Sequence, residues 1–424
     1  MQRCLWIFAA IFFLALTFGG EAFATNLRDA IDIAQVNNRN IKLERIKLDS
    51  TKTEKTQAIA EFLPSIKGNF QYGQRNSFYP GQAYDRSGKQ RTEELSLEQP
   101  IFDGLHSVSK YREADYKIKS GSSKTSDKIQ EISFAAVQSY CNLFRYQELI
   151  KLQKENKELG QKFLDLVLRR KDLRIIDKSD IIKFTYEVSI TEEKYLDSLN
   201  RLNKAKFDYQ NVIGELHDDL IKPETPWINI SEEEFDRSKV LESALMNNHN
   251  IKSYHYSYLA SKSAYNAEIS NFLPKVSLTA STSKQTNVLY LNGNDLNSKS
   301  VFLNLSVPIF QKGVEYANLS KARYDKDTAM EEYEITKDGI TKEVNQALEE
   351  YRFLSEMNKT NKKIFEMAFE RAKIFNKRLE SKAEDPIEVI RARIEANDRK
   401  INYIGSQMDL VITHYKIKYF LGEI

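Results

Sequence analysis

Two periodicities alternate along this chain. Between residues 66 and 72 apolar positions recur at every second place. Ile66, Phe70 and Tyr72 point one way with Gly68 between them, and Lys67, Asn69 and Gln71 point the other. In the returning stretch Leu95 and Leu97 share one face, and Glu94, Ser96 and Glu98 share the opposite one. The pattern recurs at Val276, Leu278 and Ala280, and again at Val301, Leu303, Leu305 and Val307, with Ser277, Thr279, Ser281, Asn304 and Ser306 as polar alternates. A period of two belongs to β-strands. It predicts four strands, at about 65–76, 92–102, 275–286 and 299–309. Each is about ten residues long, the length and alternation of a membrane-spanning β-strand. An ordinary half-buried sheet alternates in the same way, so the pattern by itself leaves both readings open. The segments 77–90 (SFYPGQAYDRSGKQ) and 289–298 (LYLNGNDLNS) are dense in turn residues.

Elsewhere the period lengthens to that of a helix. Ile387, Ile390, Ile394, Asn397, Ile401, Ile404, Met408, Val411 and Tyr415 step by three and four without a slip. Ile181, Phe184, Val188, Thr191, Tyr195, Ser198, Leu202, Ala205 and Tyr209 keep the same steps. A sustained repeat of this kind is a coiled-coil seam. Residues 27–62 lack helix breakers and read as one helix, stopped by Pro64. The breaker-poor run from 105 to 172 would extend roughly 100 Å as a single helix, a bridge rather than a compact core element.

The same series of elements is written twice. NNRNIK at 37–42 returns as NNHNIK at 247–252, and Glu61-Phe62-Leu63-Pro64 returns as Asn271-Phe272-Leu273-Pro274. Gln99-Pro100-Ile101-Phe102 matches Val307-Pro308-Ile309-Phe310, with Gly104 and Gly313 following. Asp177 to Leu216 aligns without a gap on Asp385 to Ile424. Both copies close on one phrase, Val212-Ile213-Gly214-Glu215-Leu216 and Phe420-Leu421-Gly422-Glu423-Ile424. The expected organisation is therefore a first repeat at 25–216, a linker at 217–238 holding Pro223, Pro226 and Trp227, and a second repeat at 239–424. Two long copies mark a duplication, not a short-period solenoid.

Composition narrows the class. Of 424 residues, 29% are charged and 41% hydrophobic, and Lys+Arg 63 against Asp+Glu 60 gives no reason to invoke nucleic acid. Residues 1–24 stand apart. Arg3 precedes an apolar run from Leu5 to Phe18, and Ala22-Phe23-Ala24 is an A-x-A cleavage site, so this stretch reads as an export signal. Removing it takes Cys4 and leaves Cys141, which permits no internal disulfide and reads as a small buried apolar residue. A sheet crossing a bilayer must close, and four strands are too few to close on themselves, since bacterial barrels start at about eight. If the strands span at all, they imply an oligomer.

Signals for catalysis are missing. His106, His217, His249, His255 and His414 form neither HExxH nor a cluster at ligand spacing, and no glycine-rich phosphate cradle is written. We expect no enzyme, no metal and no cofactor. Asp385-Pro386-Ile387-Glu388 is a good helix start, with Asp as N-cap, Pro at the first position and Glu at the third; Asp177-Lys178-Ser179-Asp180 is a weaker version. A coiled-coil scaffold without a pore, secreted or periplasmic, is the competing reading of the pattern.

The export signal, the two halves, FLP before a strand, PIF with a glycine after its partner, and the closing hydrophobic-Gly together resemble the TolC-type outer membrane efflux protein family. The resemblance runs over the whole mature chain. It implies a mostly α fold with β: long coiled-coil helical hairpins forming a periplasmic tunnel, and four β-strands per chain contributing to one outer-membrane β-barrel shared by a homotrimer. It implies a passive duct in a tripartite efflux pump or a type I secretion system. The implied partners are a periplasmic adaptor (membrane fusion) protein, an inner-membrane transporter and outer-membrane lipid. By the same resemblance Glu388 falls on the ring of acidic residues at the periplasmic gate, with Asp180 as its equivalent in the first half. Where the family often has a second acidic residue this chain has Arg391, so a ring of Glu388 with Arg391 would be less negative and could be a salt-bridged lock. Arg174 and Lys382 stand where the family commonly has glycine in the turns, the region expected to meet the adaptor. For Glu388 the cap and the gate are both open. The repeated NNxNIK would occupy equivalent positions on paired helices, its asparagines making helix-to-helix hydrogen bonds.

Overall fold

In a computed structural model, the described residues are 26–77, 86–172, 177–214, 220, 222–223, 236–288, 294–310 and 312–424. The export signal, most of the linker, the centre of the first predicted turn segment, the first half of the second and Arg174 lie outside them. The elements run α1 (Leu27–Asn37), α2 (Arg39–Ala60), β1 (Ser65–Ser77), β2 (Arg86–Phe102), α3 (His106–Asp172), α4 (Lys178–Ile213), α5 (Arg237–Asn247), α6 (His249–Ile269), β3 (Lys275–Val288), β4 (Asn294–Ser306), α7 (Val314–Glu380) and α8 (Pro386–Leu421). The second six repeat the order of the first six. Among the described residues no helix is long and apolar enough to cross a membrane.

The chain forms two compact units, each drawing on both halves of the sequence. One holds the chain up to Lys42 with Asp127–Asn248 and Gly339–Ile424; the other holds Leu43–Ser126 and His249–Asp338.

In the first unit the helix expected over 27–62 is broken at Asn38, and its counterpart at Asn248. Both residues leave the helical region, with ψ of 126° and 124°. The cause is local competition by a short amide side chain. Asn38 Oδ1 accepts from the Asn40 amide at 2.9 Å, and its Nδ2 donates to the Val212 carbonyl at 3.3 Å. Asn248 Nδ2 donates to the Phe420 carbonyl at 3.1 Å. Each repeated asparagine thus stitches a helix break to the last turn of that half's returning helix, whose carbonyls lack partners within the helix. Those helices stop where glycine takes a left-handed φ, +97° at Gly214 and +74° at Gly422. The core here joins Leu27, Ala30, Ile31 and Ala34 of α1 to Val137, Tyr140 and Cys141 of α3, Tyr209 and Ile213 of α4, and Met408 and Val411 of α8. Each large side chain fully buried there contributes about 1.5–3 kcal/mol.

Heptad seams form as the spacing predicts, with a difference between the two returning helices. On α4 every residue from Ile181 to Tyr209 on the seam is buried or half-buried, and most residues between them are exposed. On α8 the seam is likewise covered, but Ala392, Ala396, Leu410 and Ile417 are buried too. Asn397 on its seam donates to Asn156 of α3 at 2.9 Å, while Ser406 donates to Asn358 of α7 at 3.2 Å. Ala392 and Ala396 cluster with Ala372 of α7. Thus α8 is packed on two sides.

The second unit carries a four-stranded antiparallel sheet in the order β1-β2-β3-β4. Two strands start earlier than the alternation suggests, β2 at Arg86 and β4 at Asn294, because the pairing continues through polar residues. The second half ends its sheet at Ser306, before Pro308, whereas β2 accommodates Pro100 with a register shift between Pro100 and Phe102. A proline cannot donate to the ladder, so it ends a strand or sits at an irregularity. Past the strands, Gly104 has φ +72°, and a Cβ there would lie 2.8 Å from both Leu273 Cβ and the Ser270 carbonyl, so the turn into α3 requires glycine. His106, next in line, has Nδ1 3.0 Å from Ser270 Oγ and 3.2 Å from the Ala267 carbonyl, a structural role.

Candidate functional site

The hairpin of α7 and α8 ends in a tight turn. The Lys382 amide donates to the Leu379 carbonyl at 2.9 Å and the Ala383 amide to the Arg378 carbonyl at 2.8 Å, the hydrogen bonds of a Schellman motif. Its left-handed residue is Lys382, with φ +55°, where glycine is the usual occupant. Asp385 then caps α8, its Oδ1 accepting from the Ile387 amide at 2.9 Å. The same carboxylate takes a two-pronged bond from Arg170 of α3, at 2.8 and 2.6 Å. The Arg170 bonds, opposed by partial burial and helped by the Ile387 amide, hold the Asp385 carboxyl below its usual range.

One turn further along α8, Arg391 is held by two carboxylates. Nη1 donates to Glu388 at 3.0 Å on its own helix, and Nη2 donates to Glu187 of α4 at 3.2 Å. The guanidinium lies 5.4 Å from the ring centres of both Phe163 and Phe184, which meet edge to face. Phe163, Val167 and Ile387 form a small core beneath it. Aromatic faces attract a cation, so the rings favour the same position as the carboxylates do. The structure therefore brings Glu388 and Arg391 together. Asp180 is placed otherwise: it lies exposed in the first turn of α4, its amide donating to Asp177 Oδ1 at 2.9 Å. Asp177 and Asp385 are the capping carboxylates, and the side chain of Glu388 turns to Arg391 instead of back to the cap.

Glu187 is the member that sequence reasoning missed. The gapless alignment of the two halves held the signal. Asp180, Lys183 and Glu187 sit opposite Glu388, Arg391 and Glu395, so acid, base and acid recur at the same spacing. Beyond this cluster a polar groove of about 680 Å³ follows α4 and α8, lined in part by Lys194, Asp197, Arg201, Glu395 and Asp398. Lys194 and Asn156 hold Asp398 at 2.9 and 3.0 Å. Charges of both signs line this wall. Among the described residues no group of His, Cys, Asp and Glu could hold a metal ion.

In the other unit the register sorts the sheet into two faces. One carries rows such as Ile66-Leu97-Ala280-Val301, together with Leu278-Leu303 and Val276-Leu305. The side chains of the outer strands are unusually exposed for their type, Ile66 66%, Leu303 70%, Leu305 67%, and those of the central strands are half-buried. The other face carries Lys67, Ser96, Glu98, Thr279, Ser281 and Asn304, with Phe302 breaking its polar character. Ser281 and Ser300 lie 2.9 Å apart there, and Asn304 donates to Thr279 at 2.8 Å. The outer strands β1 and β4 each have one edge unpaired within the sheet.

Comparison with known proteins agrees with this architecture. Residues 240–423 match the family model described as outer membrane efflux protein. The outer membrane efflux protein BepC of Brucella suis biovar 1 (strain 1330) is 21% identical over 336 residues, 78% of this chain and 70% of that protein. A membrane protein from Pseudomonas aeruginosa superposes with a TM-score of 0.80 at 17% identity, over 94% of this chain and 91% of its own. The CmeC outer membrane channel of Campylobacter jejuni gives 0.79 at 15% identity, over 94% and 85%. The second half of the chain is therefore similar to the outer membrane efflux protein family, and the superpositions show that the whole chain shares the fold of these solved proteins.

Proposed function

We propose that three copies of this chain pool their sheets into one closed β-barrel in the outer membrane, and that the barrel and the helical tunnel form a passive export duct. The similarity to outer membrane efflux proteins supports trimeric assembly and pump partners in general terms. A periplasmic adaptor and an inner-membrane transporter as the particular partners, in a tripartite pump or a type I secretion system, belong to the proposal. One observation carries it: a sheet with an apolar exposed face and two open edges cannot stay in lipid unclosed, because unpaired backbone groups there cost several kcal/mol each. Four strands from each of three copies supply an even-numbered barrel above the minimum of about eight. The scaffold reading offers no use for that face.

At the other functional point, Arg391 is a lock. It ties α8 to α4 through Glu187, with Glu388 of its own helix holding the guanidinium in place, and moving these helices apart must break the Glu187 bond. Partly exposed ion pairs contribute about 0–1 kcal/mol each and a cation over a ring about 0.5–1. Such a lock is strong enough to bias a gate and weak enough to release. Lys382 offers a cation for adaptor contact at the turn between α7 and α8, and Arg174 is its counterpart in the sequence of the first half.

In planar bilayers Arg391→Ala should raise the mean conductance of the purified trimer, and Glu388→Gln should raise it less, since Glu187 still holds Arg391. Equal conductance for both variants and the parent would leave Asp385 as a helix cap and remove the gate. Fractionation tests the duct itself: the protein should sit in the outer membrane as a detergent-sensitive trimer, and release by osmotic shock would sink the reading.

A further inference from the structure

The apolar face of the sheet does not run its whole height. Counting rows from the ends joined to helices, Phe102-Val276-Leu305 and Ile66-Leu97-Ala280-Val301 are apolar, and Gln99-Leu278-Leu303 between them is apolar on β3 and β4. The next row, Gly68-Leu95-Thr282-Lys299, is mixed. Beyond it come Phe70-Glu93-Lys284-Asn297 and then Tyr72-Arg91-Thr286. Lys284 pairs in register with Asn297, so Lys299 is its diagonal neighbour on the same face, about 7–8 Å away. Lys89 and Arg91 continue the same side of β2. The carboxylates on this face are Glu93, which pairs with Arg91, and Asp295 nearer the turn. Arg91 also lies 5.1 Å from the centre of the Phe70 ring. Among the described residues of this face, four cations meet two carboxylates.

Directly beside this belt the sheet has a groove of about 440 Å³, lined by Ile66, Leu95, Leu97, Ala280, Val301 and Lys299. Lys299 is the one charged residue on it. An apolar channel ending at lysines has the shape of an amphiphile: hydrocarbon below, anion above.

We propose that this face is a docking site for a phosphate-bearing lipid of the leaflet nearer the turns between paired strands, its acyl chain in the groove and its phosphate between Lys284 and Lys299. The assignment rests on the proposed outer-membrane barrel, which turns this face to lipid. The apolar rows fix the depth, and the two lysines fix the headgroup charge. Nonspecific anchoring by lysine stems reaching for the interface is the alternative. It predicts no preference between headgroups.

Native mass spectrometry of the detergent-extracted trimer tests this, with phosphatidylglycerol or phosphatidylcholine as the added probe. The parent protein should retain phosphatidylglycerol about thirtyfold better, as two cations near a headgroup imply. Lys284→Gln with Lys299→Gln should abolish the preference. Ala280→Trp, which fills the groove and leaves the charge unchanged, should reduce retention of both lipids. Millimolar inorganic phosphate should not compete. Equal retention of the two lipids by the parent, an unaltered preference in the double variant, or displacement by phosphate alone would overturn the proposal. Bilayer conductance of the same preparations reports separately on the barrel, so a conducting trimer without lipid preference removes only this site.

Discussion

At the scale of single residues, Lys382 and Arg391 show how far a sequence discloses its own geometry. Lys382 is a lysine where the fold asks for a left-handed residue, and a side chain there costs about 1–2 kcal/mol that glycine does not incur. Lys382→Gly should therefore raise the heat-dissociation midpoint of the tip hairpin, with a gain of about 0.5–1 kcal/mol once the greater freedom of unfolded glycine is subtracted. Limited proteolysis at rising temperature, read at the turn, would show it. A lowered midpoint would mean that the lysine side chain makes a compensating contact. The position of Lys382 was legible because the turn is local. The partner of Arg391 was not, because Glu187 lies on another helix and only the comparison of the two halves points to it. Cys141 was legible in the simplest way: it is fully buried, and burial pushes its thiol up to about 12.

At the scale of elements, the heptad spacing located both seams, and the period of two located four strands. It did not disclose that α8 has two packed sides and α4 one. A period reports which residues share a stripe, not how many neighbours a helix has, and the alanines at 392 and 396 carry too little hydrophobicity to signal a second stripe. Their small size is the signal in packing terms, since it lets α7 approach. Ala396→Leu should destabilise the fold by about 1–3 kcal/mol through overpacking against Ala372. Glu193→Leu, exposed on the one-sided α4, should stay within about 0.5 kcal/mol of the parent. Urea denaturation of the two variants side by side checks the contrast; equal midpoints would make the second packed side energetically empty. The breaks at Asn38 and Asn248 escaped the pattern for a different reason. Asparagine is tolerated in a helix until its amide finds a better partner, and those partners, the Val212 and Phe420 carbonyls, are 174 and 172 residues away.

At the scale of the whole molecule, the duplicated order of elements carried most of the fold, and the amphipathic strands carried most of the proposed function. The raw edges of β1 and β4 have a genetic consequence. A copy whose outer strand cannot pair, such as Leu303→Pro, would still present an intact opposite edge and enter mixed assemblies. Expressed beside the parent gene, such an allele should behave as a dominant poison, restoring susceptibility to whatever the cell normally expels, and a purely recessive allele would argue that each copy inserts alone.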